Sequence, residues 1–158
     1  MNVALISDTH DNLDALGRAL AAFRERGAGL IVHAGDFVAP FAVKKLQTAG
    51  LPVVAVFGNC DGERQVISEL LPDIVAGARH EEIAGRRFVI VHSLDWLAEG
   101  EADGADVVVC GHTHVPGVSG EKPRVVNPGE CCGWVNGRST VAVLDTETLE
   151  TEIIELLP

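Results

Sequence analysis

Short apolar runs and amphipathic stretches alternate three times along the first half of the chain. Val3-Ala4-Leu5-Ile6 is a continuous apolar run, the pattern of a strand buried on both faces. It breaks at Ser7-Asp8-Thr9-His10. Leu13, Leu16, Leu20 and Phe23 then recur at helical spacing, with Gly27 placed to end that helix. A second strand, Leu30-Ile31-Val32, leads to the turn Gly35-Asp36. Pro40 is placed to open a second helix that closes near Gly50. Val53-Val54-Ala55-Val56 is a third strand, ending at Gly58-Asn59-Cys60-Asp61, and a third helix is expected from Glu63 to Leu71. This β-α alternation implies parallel strands with helical crossovers.

The second half has a different rhythm. Glu81–Ile83 and Arg87–Val91 flank Ala84-Gly85-Arg86, the signature of a hairpin. A short helix is expected around Leu94–Glu99. Further strands are expected at Val107–Cys110, Gly117–Ser119, Arg124–Val126, Thr140–Leu144 and Glu152–Leu156, the last two pairing across 145–150. Two β-rich halves with few helices suggest two stacked sheets with helices outside.

The polar residues carry the chemistry, and their positions are informative. Asp8 and His10 follow the first strand, Asp36 the second and Asn59 the third. His92 follows the strand 87–91, and His112 and His114 follow the strand 107–110. In open α/β sheets, sites form beyond the carboxyl ends of strands. Five loops are therefore expected to converge, bringing four of the six histidines together with two aspartates and an asparagine. Each element has an ordinary alternative. Asp8 can cap a helix, Gly35-Asp36 can be a plain turn, Asn59 can adopt a left-handed turn, and His92 can be a hydrogen-bonded core histidine. Their joint occurrence at strand ends favours a metal site. The set has no thiolate, and mixed imidazole and oxygen donors suit Mn²⁺, Fe²⁺, Co²⁺, Ni²⁺ or Zn²⁺. Seven ligands exceed one tetrahedral ion and suit two ions sharing a carboxylate.

Composition sets the outer limits. The chain has 158 residues, 47% hydrophobic and 22% charged, as expected of one globular domain spanning 1–158. Its apolar runs are too short to span a bilayer. The N-terminus lacks a basic head and a small-residue cleavage site, so a cytoplasmic protein is expected. Cys60, Cys110, Cys131 and Cys132 fit no zinc-ribbon or C-x-x-C spacing and are expected to be free thiols. The net charge of −11 argues against stable nucleic-acid binding and against a membrane partner. It admits a phosphate ester only where a local cation receives it. Two aspartates and two divalent ions leave such a site with a surplus of positive charge. Two ions roughly 3.5–4 Å apart activate a bridging hydroxide for in-line displacement.

Asp8-Thr9-His10, Gly35-Asp36, Gly58-Asn59, His92 and Gly111-His112-Thr113-His114 together resemble the five signature blocks of the calcineurin-like metallophosphoesterases. Gly58–Asp61 and Asn127-Pro128-Gly129 are similar to further blocks of the small bacterial and archaeal phosphodiesterases in that superfamily. The resemblance implies a four-layer α/β/β/α sandwich of two mixed β-sheets flanked by helices. It implies a first metal, Mn²⁺ by preference, on Asp8, His10, Asp36 and His114, and a second on Asp36, Asn59, His92 and His112. Asp36 would bridge them. Implied catalytic residues are Asp36 and Asn59, with His10, Asp61 or a metal-bound water as the acid.

Three positions depart from the pattern. Cys60 replaces a histidine, Ser93 a glycine, and Glu130 a serine whose replacement by a carboxylate would repel phosphate if it faced the pocket. The implied activity is hydrolysis of small phosphodiesters, cyclic nucleotides among them, by a homodimer or larger assembly. Alternatives are a phosphomonoesterase for a nucleotide or sugar phosphate, and a protein-interaction scaffold similar to the retromer small subunit. His33 has two readings, orienting a ligand or packing in a strand, and His80 reads as a surface residue. Trp96 and Trp134 read as base-pocket walls, core residues or oligomer contacts.

Overall fold

Three strand–helix units come first in this computed structural model, which describes residues 1–157. They are β1 (Asn2–Ile6), α1 (Leu13–Glu25), β2 (Ala28–His33), α2 (Pro40–Gln47), β3 (Val53–Ala55) and α3 (Arg64–Leu70). Strands dominate afterwards: β4 (Arg79–Ile83), β5 (Arg86–Ile90), β6 (Val107–Val109), β7 (Gly117–Ser119), β8 (Arg124–Asn127), β9 (Thr140–Asp145) and β10 (Thr151–Glu155). They form two five-stranded mixed sheets, ordered β10-β9-β1-β2-β3 and β4-β5-β6-β8-β7. β1, β2 and β3 are parallel, as are β5, β6 and β8. The C-terminal hairpin β9–β10 returns to the first sheet, with β9 antiparallel to β1. The N-terminal strand is thereby central.

The unbroken apolar run in β1 has a simple cause. Side chains alternate between faces along a strand. Val3 and Leu5 point between the sheets, among Val32, Phe88, Ile90, Val107, Val109 and Leu144. Ala4 and Ile6 point the other way, onto Leu16 and Phe23 of α1, Val43 and Leu46 of α2, and Ile67 of α3. Both faces are buried, so neither alternate position tolerates a polar residue.

All three helices contribute to that one cluster. The opposite outer face, Val89 and Val108, is covered by Leu97, Ala102 and Ala105 instead. The helix expected at Leu94–Glu99 is a single 3-10 turn, Leu94–Trp96. Leu97 is already extended, and Gly100 turns the chain at φ 78°. The fourth layer is thus a loop with one turn of helix. The β4–β5 hairpin is also tighter than expected. Arg86 pairs with Ile83, leaving only Ala84 and Gly85 in the turn, with φ of 50° and 77°. Positive φ at both central residues matches the twist of the flanking strands. Asn12, not Asp8, caps α1, by accepting a bond from the Ala15 N–H. Among the described residues no helix is long and apolar enough to cross a membrane.

Phe88 is 1% exposed between the sheets. Phe88→Ala is expected to lower the unfolding free energy by about 3–5 kcal/mol. Urea unfolding measures this; a loss below about 1 kcal/mol contradicts the two-sheet packing.

Candidate metal centre

The loops after β1, β2, β3, β5 and β6 meet beyond the carboxyl ends of these strands. Backbone bonds sew them together. The Asp8 N–H donates to Gly35 O at 3.0 Å, His10 N–H to Asp36 O at 3.1 Å, and Gly111 N–H to His92 O at 2.9 Å. The backbone is strained where it carries the polar set. Asp8, His10, Asp36, His112 and His114 all have φ between 40° and 68°. A non-glycine residue in that region costs of order 1–3 kcal/mol and persists only where its surroundings over-determine it. Two glycines make the close approach possible. A β-carbon at Gly58 would collide with the Asp36 carboxylate, and one at Gly111 with Ser7 and Asp8.

All seven residues singled out from the sequence lie in this cluster. His10 Nε2 is 3.9 Å from Asp8 Oδ1 and 3.6 Å from Asp36 Oδ2. His114 Nε2 is 3.5 Å from Asp8 Oδ1, and its ring stacks on His10 at 5.4 Å. His92 Nε2 is 3.4 Å from the same Asp36 Oδ2 and 2.9 Å from Asn59 Oδ1. The His112 ring meets the His92 ring edge-on at 5.2 Å. The imidazoles therefore form two pairs, His10–His114 and His92–His112, and the adjacent histidines of Gly111–His114 belong to different pairs. Asp36 Oδ2 lies within reach of both.

The protonation pattern favours a cation among these atoms. His92 Nδ1 lies 2.8 Å from Ala34 O, and His114 Nδ1 lies 3.0 Å from Glu130 Oε2. Each Nδ1–H donates there, so each Nε2 presents a lone pair to a carboxylate oxygen. Acceptors facing one another require a shared positive charge, from a proton or a metal ion. Asp8 Oδ1 and His10 Nε2 are buried with no hydrogen-bond partner, although both point into the cluster. Buried polar atoms are otherwise almost always paired. The residues present fit divalent metal ions.

Burial raises the Asp8 carboxyl above the usual range. Burial acts the same way on Asp36, but the neighbouring His92 and a hydrogen bond from the Cys60 N–H outweigh it and hold Asp36 well below that range. Burial and the neighbouring Asp36 push the Cys60 thiol up to about 11, and burial pushes Cys132 up to about 12. Both shifts act against a thiolate near neutral pH.

Two expectations are corrected by side-chain placement. Glu130 does not face the pocket. It is fully buried and accepts from His114 Nδ1, the Val135 N–H (2.9 Å) and the Asn136 N–H. It orients a histidine instead of repelling a phosphate. Asp61 is not placed to act as an acid. Its Oδ1 accepts from Val38 N–H at 2.8 Å, and its Oδ2 from Gly58 N–H at 2.7 Å and Asp36 N–H at 3.3 Å. Both oxygens tie the β2 and β3 loops together. His33 resolves as a positioning residue. Its Nδ1 accepts the Gly35 N–H, its Nε2 lies 3.2 Å from Thr9 Oγ1, and Thr9 donates to Asp36 O. Asn127 was legible only as part of a turn; its amide donates to Gly111 O and Thr113 Oγ1 and so anchors the histidine loop.

A mixed-sheet α/β sandwich with carboxylates and imidazoles at its strand ends defines a class of metal-assisted phosphoric ester hydrolases. Residues 1–149 match the calcineurin-like phosphoesterase superfamily domain, and the chain belongs to that superfamily. It is 35% identical to a phosphodiesterase of Methanocaldococcus jannaschii, over 99% of both chains. A solved archaeal phosphodiesterase superposes with a TM-score of 0.88 at 32% identity, covering 99% of this chain and 100% of that one. The chain is a phosphoric ester hydrolase of this family. Chaetomium thermophilum Vps29 shares the fold, with a TM-score of 0.73 at 14% identity, over 98% of this chain and 95% of that one.

Two measurements check this arrangement. Burial holds His33 neutral, with its pKa lowered to about 3 from an unfolded value of 6.5. Between those values the unfolded chain binds more protons, so His33 contributes fully above pH 6.5 and loses about 1.4 kcal/mol per unit as pH falls. Urea unfolding at pH 7, 6 and 5 is expected to show a steeper decline for the wild type than for His33→Gln; equal slopes contradict a neutral buried imidazole. Glu130→Gln is expected to weaken divalent-metal affinity by about 10–100-fold, as loss of a histidine's carboxylate partner does. Isothermal titration with Mn²⁺ reads this directly, and unchanged affinity contradicts the role of Glu130.

Proposed function

We propose that this protein hydrolyses small phosphodiesters at a centre of two divalent metal ions. The observation that carries the reading is the position of Asp36 Oδ2, 3.6 Å from His10 Nε2 and 3.4 Å from His92 Nε2. One carboxylate oxygen serves two imidazole groups. Asp8, His10, Asp36 and His114 would hold one ion; Asp36, Asn59, His92 and His112 would hold the other. The donor set suits Mn²⁺ first, then Fe²⁺, Co²⁺, Ni²⁺ or Zn²⁺. Such a pair supplies Lewis-acid stabilisation of the phosphoryl oxygens and lowers the pKa of a bound water.

The chain's own groups divide the remaining work. Asp36 supplies the shared negative charge. Ala34 O and Glu130 fix the tautomers of His92 and His114, which keeps each Nε2 free to coordinate. His10 Nε2 faces both aspartates, which fits a ligand better than a proton donor. Asp61 holds the Gly58 and Asp36 amides in register. Residues 1–158 act as one domain in this reading, in the cytoplasm.

A diester is favoured over a monoester by the surface beside the centre. A cavity of about 560 Å³ borders His112, and no Lys or Arg lines it. A monoester dianion has no side-chain cation to meet there. The interaction-scaffold reading has only the shared fold in its support, and here all seven polar side chains are present.

Bis(p-nitrophenyl) phosphate hydrolysis tests the proposal. Chelator-treated protein is expected to be inactive and to recover on addition of Mn²⁺. Asp36→Asn, which removes the shared charge, is expected to lower kcat by about 100-fold or more with the circular dichroism spectrum unchanged. An unchanged rate contradicts the shared carboxylate.

A further inference from the structure

The chain contains two tryptophans and no tyrosine. Neither tryptophan is in the core. Trp96 is 42% exposed and Trp134 is 65% exposed. Each stands beside one imidazole pair of the centre. The Trp134 ring lies 6.3 Å from the His10 ring, tilted by 32°. The Trp96 ring lies 5.5 Å from His92 and 6.5 Å from His112, tilted by 50° and 38°. Neither indole lies flat on its histidine. An exposed indole is costly to leave in water, and both of this chain's indoles border the same small site.

We propose that Trp96 and Trp134 are the two platforms of the substrate site, one for each ester arm of a phosphodiester whose arms both carry a neutral planar group. The chemical class is a dinucleoside monophosphate or a diaryl phosphate. This rests on the phosphodiesterase reading above and adds what the two arms must be. With the phosphorus at Asp36 and the paired imidazoles, one arm extends past His10 toward Trp134 and the other past His92 and His112 toward Trp96. Base–aromatic stacking works with any base, because every base offers a π face.

The cavity on the Trp96 side narrows the chemistry of that arm. Its walls include Leu94, Val115 and Val118, and its one acidic side chain is Asp95. A second phosphate there meets a carboxylate and no cationic partner, whereas a neutral ring meets apolar walls. The net charge of −11 acts in the same direction, against polyanionic strands and in favour of a substrate with a single phosphate. A 3′,5′-cyclic nucleotide, with one base, engages a single platform.

Kinetics with Mn²⁺-reconstituted protein and fluorescence together test the proposal. Trp96→Ala and Trp134→Ala are each expected to raise KM for bis(p-nitrophenyl) phosphate at least about fivefold, with kcat within about threefold. Trp→Phe at either site is expected to restore most of the loss. With methyl p-nitrophenyl phosphate, which has one ring, only one of the two alanine variants is expected to raise KM. Trp96→Phe and Trp134→Phe also leave a single fluorophore each. Stopped-flow mixing with thymidylyl-thymidine is expected to quench both reporters before turnover. KM values within twofold of the wild type for both alanine variants, together with no quenching, overturn the proposal even if the diesters are hydrolysed. Quenching of both reporters without hydrolysis of any diester leaves the platforms standing and removes the phosphodiesterase reading.

Discussion

Asp36 Oδ2 has an imidazole nitrogen on each hand, at 3.6 and 3.4 Å, and both nitrogens present lone pairs or shared protons to it. Acceptors forced this close repel unless positive charge sits among them. That requirement explains features that otherwise look unrelated. It explains why Asp8 Oδ1 and His10 Nε2 are buried without hydrogen-bond partners although both point into the cluster. It also explains how a protein of net charge −11 receives an anionic ester: the attraction is local and comes from what the cluster binds, not from a basic surface.

Holding these side chains together is expensive, and the two sheets supply the rigidity. β1, β2 and β3 run parallel in one sheet, and β5 and β6 in the other, so their carboxyl ends open toward the same loops. Five cluster residues adopt left-handed backbone conformations, which an isolated loop would abandon. Here each loop is bonded to another. The Asp61 carboxylate clamps three amides from two loops, and His33 links Gly35 to Thr9 and through it to Asp36. Strain at the site is offset by packing between the sheets, where Leu5, Phe88 and Ile90 are buried.

Much of this was readable from the residues in order. Strands buried on both faces betray themselves as unbroken apolar runs, so β1 and β6 stood out. The polar residues at their ends then fell in place, because the alternation of strand and helix already implied parallel strands with a common carboxyl edge. What escaped were relations between residues far apart in sequence. Glu130 looked like a hazard to phosphate, and only folding turns it toward His114. Asp61 looked like an acid, since nothing local shows that the Asp36 and Val38 amides of the β2 loop claim its oxygens along with that of its neighbour Gly58. The missing outer helix follows from a chain that becomes extended at Leu97, which hydrophobic spacing alone does not register. Trp96 and Trp134 carried several meanings in the sequence; their exposure beside the histidines narrows them.

The central claim is that two ions share Asp36 and that the neighbouring histidines His112 and His114 serve different ions. Anomalous diffraction at the manganese edge, from crystals of the Mn²⁺-loaded protein, addresses it most directly. The account predicts two peaks roughly 3.5–4 Å apart, with the Asp36 carboxylate between them, His114 on one and His112 on the other. A single peak, or both histidines on one ion, would contradict it.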